Sequence, residues 1–137
     1  MNITGRTVLR RATEPIEQSQ ALEAECPTCI AGSVGIIVSA HTSLGCAPLF
    51  MVGTDQQKEQ FLRPLASGAK LGAYGLTEAG AGSDSRGTRT RAHRDGEEWV
   101  ISGSKRFITN AGVADTYIVT AVTDRNTDSG KISAFIE

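Results

Sequence analysis

Residues 71–84, LGAYGLTEAGAGSD, gather the residue types that could hold a phosphate-bearing group. Gly75, Gly80 and Gly82, with Ala79 and Ala81 among them, leave the backbone nearly bare, so main-chain N–H groups can approach an anion closely. Thr77 and Ser83 add hydroxyls, and Glu78 and Asp84 are the only charges. The spacing is not the dinucleotide fingerprint G-x-G-x-x-G, because no third glycine follows Gly80 and Gly82 at the required offset. It is not a P-loop either, since no Gly-Lys-Ser/Thr closes it. Alone, such a stretch also fits a flexible, glycine-rich surface loop.

Residues 101–110, ISGSKRFITN, supply a second polar cluster around Phe107. Together, LTEAGAGSD and SGSKRFITN resemble the acyl-CoA dehydrogenase family. Residues 33–45 (SVGIIVSAHTSLG) and 53–68 (GTDQQKEQFLRPLASG) are similar to the same family, nearest its short-chain, butyryl-type members. The resemblance runs from about residue 33 to residue 137.

The resemblance implies an FAD-dependent enzyme that oxidises a fatty acyl-CoA thioester between its alpha and beta carbons. A glutamate takes the alpha proton while flavin N5 takes the beta hydride. Such chemistry needs the acyl group held flat between base and flavin, a polarised thioester oxygen and a rigidly held cofactor. By motif matching, Tyr74, Gly75, Leu76, Thr77, Glu78, Ala79, Gly80, Ala81, Gly82 and Ser83 line the FAD, joined by Phe107, Ile108 and Thr109. Thr77 is expected at the pyrimidine edge of the flavin. Gly82 and Ser83 are expected at the pyrophosphate, with Ser83 also near the acyl-CoA substrate. Phe107 stands where many members carry tryptophan; it still stacks but lacks the indole N–H. Thr109 is expected to hydrogen-bond near flavin N5. Ala79 departs from the family, which has proline there.

The family's catalytic base comes from a C-terminal helical domain that this sequence does not include, so no catalytic residue is assigned here. Glu78 accordingly reads as a loop-ordering carboxylate. The chain is read as a fragment, inactive alone, of an enzyme that passes electrons to electron-transferring flavoprotein and forms a homo-oligomer. Two rivals stay open: a non-catalytic flavin-binding or interaction module, and a flavin oxidase of the same fold.

Other candidates have plainer readings. Thr109 and Asn110 also suit a turn cap, and Phe107 an ordinary core position. Cys26 and Cys29 form a C-x-x-C, but no strand precedes them as a thioredoxin-like site requires. Adding His41 and Cys46 gives enough ligands for a metal on paper, yet both lie in a stretch that reads as a buried helix. Packing cysteines and a structural His41 are preferred, and no metal site is assigned. Arg86, Arg89, Arg91, His93 and Arg94 make a basic run without the interleaved aromatics of a nucleic-acid binder. Arg89, Arg91 and His93 alternate with Thr88, Thr90 and Ala92, which suits the solvated face of a strand.

These residues must be positioned by a chain of 137 residues, enough for one modest core. A net charge of −1 gives no global attraction to nucleic acid or an anionic membrane. The longest apolar run, residues 35–40, is too short to span a bilayer, and the start has no signal-peptide core. A cytoplasmic location follows by default. Three cysteines argue against a disulfide framework.

The expected fold is α+β, with helices followed by an antiparallel β-domain. Residues 1–30 match nothing and read as a foreign start or a disordered tail, with a helix at 21–25 at most. Residues 31–70 read as the end of an N-terminal helical domain, and 71–137 as an incomplete FAD-binding middle β-domain. The first helix, 31–52, should be largely buried, with a kink or break near Gly45 and Pro48. Thr54 and Gln57 should form a capping box opening a helix over 55–63. Strands are expected at 72–76, 88–94, 98–102, 105–108, 116–122 and 131–136, with a hairpin at Asp95-Gly96 and a polar turn at 126–130. No helix-length segment separates the strands, which favours antiparallel pairing.

Overall fold

In the computed structural model, residues 7–9, 32–124 and 131–137 are described. The readings at 21–25, Cys26 and Cys29, and 126–130 lie outside them. Helix α1 (Gly32–Val52) runs unbroken past both suspected interruptions. Ala40–Cys46 widens into a π-helical segment, and Pro48 falls in the first turn of the α-helical stretch that follows.

Contrary to expectation, α1 is not largely buried. Leu49 and Gly45 are, but Val34, Ile36, Ile37, Val38, Leu44, Phe50 and Met51 are exposed. Its 21 residues and mean hydropathy of 1.5 also reach what a membrane crossing needs, unlike the six-residue run read from the sequence. The difference arises because small polar residues such as Ser39, Thr42 and Ser43 extend the helix without charge; Thr42 and Ser43 bond back to the Val38 and Ser39 carbonyls.

Gly53 ends α1, and the Thr54 hydroxyl accepts from the Gln57 N–H while the Gln57 side chain accepts from the Thr54 N–H. This capping box opens α2 (residues 55–66), again with a π-helical middle, Lys58–Leu62. Phe61 and Leu62 turn inward as expected.

The strands are β1 (Thr7–Leu9), β2 (Gly72–Gly75), β3 (Arg91–Asp95), β4 (Glu98–Ser102), β5 (Thr116–Asp124) and β6 (Lys131–Ile136). They form one sheet in the order β1-β6-β5-β3-β4, with β2 also on β5. β1–β6, β3–β4 and β5–β6 are antiparallel, but β2–β5 and β3–β5 are parallel. The sheet is therefore mixed rather than antiparallel throughout. Parallel neighbours need a long crossover, and here irregular chain and the β3–β4 hairpin supply it in place of a helix.

The hairpin forms where expected, with Asp95 paired to Glu98 and Gly96 at φ +60° as first loop residue. That is the position a type II′ turn reserves for glycine. Thr88, Thr90 and Ala92 are buried while Arg89, Arg91 and His93 are exposed, as the alternation implies.

β5 is covered on both faces. Val119 and Ala121 join Ala92, Ile101 and Phe135 on one side, with Trp99 tilted against Phe135 at 5.5 Å between ring centroids. Ile118 joins Leu49, Leu65 and Ile136 on the other, where α1 and α2 pack.

Candidate functional site

β2 and β3 lie along the same edge of β5 but do not meet. β2 ends at Gly75 opposite Val119, and β3 begins at Arg91 opposite Val122. Between them the chain leaves the sheet at Leu76 and returns at Thr90. Lys105 fills the split from below, its side chain fully buried. Its ammonium donates to the Leu76 carbonyl at 2.9 Å, Glu78 Oε1 at 2.8 Å and Thr120 Oγ1 at 3.2 Å. All three lysine donors are thereby used.

Glu78 closes the neck of the loop. Besides the ion pair, its carboxylate accepts the N–H groups of Arg89 at 2.7 Å and Thr90 at 3.0 Å. Burial alone would raise its pKa, but the Lys105 ammonium and the backbone donors outweigh that and hold it at about 2. The carboxylate is thus ionised and fully engaged in ordering the loop, as the sequence suggested.

Beyond the neck, Glu78 and Ala81 exchange backbone hydrogen bonds around Ala79 and Gly80. Asp84 then caps the short 3-10 turn Ser85–Gly87 by accepting the Arg86 N–H. Ala79, Gly80, Gly82 and Ser83 are exposed. A Cβ on Gly80 or Gly82 would meet no atom of the chain within 4 Å, and neither has positive φ. Among the described residues, neither packing nor backbone conformation requires glycine there.

The second motif folds against the first. The Arg106 N–H donates to the Thr77 carbonyl at 2.8 Å, and Lys105 and Ile108 cover Gly75. The strand expected at 105–108 does not form. Lys105 is turned inward to the ion pair, and Phe107 adopts φ +54°, which breaks an extended run. Phe107 is 90% exposed, so it is not a core residue. Asn110, also at positive φ, donates its side-chain amide to the Gly72 carbonyl at 3.1 Å. Thr109 is half-buried.

The two motifs are therefore brought together, but not every expected residue faces outward. Tyr74 packs with the helix-side core, and burial raises its hydroxyl pKa. Gly75 is buried, and Ala81 is inward. Leu76, Thr77 and Ile108 are half-buried, leaving Ala79, Gly80, Gly82, Ser83 and Phe107 as the open positions. Lys105 was missed as a site residue. Its signal was available: a lysine in the second motif that can answer the loop-ordering glutamate of the first.

His41 is structural in this arrangement. Its Nδ1 accepts the Gly72 N–H at 3.0 Å and its Nε2 donates to the Leu65 carbonyl at 3.1 Å. Cys46 Sγ lies 3.6 Å from the same Nε2, and burial raises the thiol pKa.

Two family models cover most of the sequence: the acyl-CoA dehydrogenase N-terminal domain matches residues 14–69, and the middle domain residues 73–136. The chain belongs to the acyl-CoA dehydrogenase family. The N-terminal match starts inside the segment in which the sequence alone showed nothing. A short-chain specific acyl-CoA dehydrogenase of Clostridium acetobutylicum is 52% identical over 107 residues, covering 78% of this chain and 28% of that protein. The solved butyryl-CoA dehydrogenase of Megasphaera elsdenii is 48% identical with a TM-score of 0.74, covering 77% of this chain and 28% of that one. An acyl-CoA dehydrogenase of Bacillus anthracis solved with FAD is 40% identical with a TM-score of 0.72, covering 80% and 19%. The chain thus spans under a third of the length of these relatives.

Proposed function

We propose that this chain forms the flavin-holding part of an FAD-dependent acyl-CoA dehydrogenase acting on short-chain acyl-CoA thioesters. In this reading residues 31–70 end the helical domain, and 71–137 belong to the middle domain. The catalytic base comes from outside residues 1–137. Electron-transferring flavoprotein is the proposed acceptor, the working form is a homo-oligomer, and the location is cytoplasmic. The observation that carries the reading is Phe107, a large aromatic held at positive φ and 90% exposed beside a bare glycine loop. An aromatic displayed at a conformational cost suits a platform for a planar ring.

The residues present fit FAD: Gly80 and Gly82 leave open space on their Cβ side. FAD, when bound, supplies the hydride acceptor for the beta carbon. Phe107 bears on the ring face. The Thr109 hydroxyl donates near N5, and Thr77 serves the pyrimidine edge. The backbone at Gly82 and Ser83 holds the pyrophosphate, with the Ser83 hydroxyl also reaching acyl-CoA. Glu78, already ion-paired, takes no proton from substrate.

The test uses the full-length protein carrying this chain. Bound FAD and turnover of butyryl-CoA with an artificial acceptor are expected, without matching oxygen consumption. Rapid oxygen consumption would point instead to an oxidase, and absence of bound flavin would sink the reading. Thr109→Val should shift the flavin spectrum or potential, and Ser83→Ala should weaken cofactor or acyl-CoA binding. Each loses about 1 kcal/mol for one hydrogen bond. Arg91→Ala, on the exposed face of β3, should change neither.

A further inference from the structure

Lys105 is costly to bury, and its cost needs an explanation beyond stability. A buried ion pair can often be replaced by apolar residues with no loss of stability, so its value lies in the geometry it fixes. Here the ammonium takes acceptors from three places: the Leu76 carbonyl, the Glu78 carboxylate and the Thr120 hydroxyl on β5. Its aliphatic stem lies over Gly75, with Cγ 3.4 Å from where a Cβ on Gly75 would sit.

The hold on Leu76 has a consequence one bond further along. Every peptide of the described chain is trans, and a trans peptide directs its C=O and N–H to opposite sides. The Leu76 carbonyl points inward to Lys105, so the Thr77 N–H points away from the buried ammonium. The Thr77 carbonyl is fixed separately by the Arg106 N–H, and the Glu78 N–H by the Ala81 carbonyl. Among the described residues, the Thr77 N–H is given no acceptor. We propose that Lys105 is a positioning residue: by drawing the Leu76 carbonyl inward, it aims the Thr77 N–H at an acceptor on the pyrimidine edge of the bound flavin.

This inference rests on the flavin-binding reading above. It assigns Lys105 no contact with FAD or substrate and no part in proton transfer. Glu78 keeps the ammonium in place, and Thr120 supports it from the strand below.

The experiment compares the flavin-loaded full-length protein with Lys105→Met, Lys105→Gln and Glu78→Gln. Midpoint potential, visible flavin spectrum and FAD dissociation constant are read beside the melting temperature of the flavin-free form. Lys105→Met is expected to weaken FAD binding at least tenfold and to shift both spectrum and potential. Lys105→Gln, which can still donate to the Leu76 carbonyl, should recover part of each change. Should Lys105→Met not fold, Glu78→Gln removes the counter-ion of the ammonium, and with it one of the two oxygens that accept the Arg89 and Thr90 N–H groups, and should move the spectrum and potential in the same direction. Unchanged spectrum and potential in every variant that folds would overturn the proposal. If Thr109→Val still perturbs the flavin in that case, the flavin-binding reading survives while the role of Lys105 does not. A wild-type protein that binds no FAD overturns both.

Discussion

Gly45 and Gly72 meet backbone to backbone where α1 crosses β2. A Cβ on Gly45 would lie 3.1 Å from Gly72 Cα, and one on Gly72 would lie 3.0 Å from Gly45 Cα. Both obstacles are main chain, so neither can rotate aside. Gly45→Ala and Gly72→Ala should each destabilise the protein by about 1–3 kcal/mol through overpacking. Denaturant unfolding of the full-length protein measures this. Wild-type stability in both variants would mean that α1 can shift off the sheet without cost.

His41 latches the same junction. Its two ring nitrogens serve the Gly72 N–H and the Leu65 carbonyl, joining α1 to β2 and to the end of α2. His41→Phe keeps the bulk but leaves the Gly72 N–H without its acceptor in a partly buried place, while the Leu65 carbonyl keeps the Gly68 N–H. A loss of about 1–3 kcal/mol is expected. His41→Gln, which can restore one bond, should lose less. Equal losses in the two variants would show that ring packing, not hydrogen bonding, makes the latch.

Much of this was legible because it is local. The Thr54–Gln57 box, the Gly96 turn and the Thr88–His93 alternation each depend on a few neighbouring residues, and all appear as read. The family resemblance of both motifs was also legible, since each is a long ordered string within the matched region. What failed depended on distant partners. The run 105–108 reads as a strand until Glu78 draws Lys105 inward and Phe107 turns to positive φ. Parallel pairing of β2 and β3 with β5 was hidden because its crossovers are irregular rather than helical. The exposure of α1 was hidden for a similar reason: apolar composition says that a face wants cover, not that the described residues supply it.

Glu78 makes stability depend on acid. Its folded pKa lies near 2, below the ordinary 4.5, so the unfolded state binds the proton more readily. The stabilisation is fully present above about pH 4.5 and is lost as pH falls through the interval down to about 2. Unfolding free energy measured across that window should fall faster for wild type than for Glu78→Gln, which has no carboxyl to titrate. At neutral pH Glu78→Gln should be the less stable, because it leaves the Lys105 charge buried without its counter-ion. Parallel pH curves for the two proteins would show that Glu78 is not the group responsible.

Phe107 separates what stabilises the chain from what serves a ligand. Its ring is 90% exposed, so little burial is lost when it is removed. Its φ of +54° is one that glycine adopts freely and that costs other residues roughly 1–2 kcal/mol. Phe107→Gly relieves that cost but frees the unfolded chain, so the flavin-free protein should hold its stability or gain up to about 1 kcal/mol. The same substitution removes the proposed stacking surface, and flavin retention should drop while Phe107→Trp keeps it. A stabilised apoprotein that releases its cofactor is the signature expected of a residue strained for function. If Phe107→Gly instead unfolds the flavin-free protein and leaves cofactor affinity untouched in what remains folded, Phe107 is a structural residue and the platform assignment is wrong.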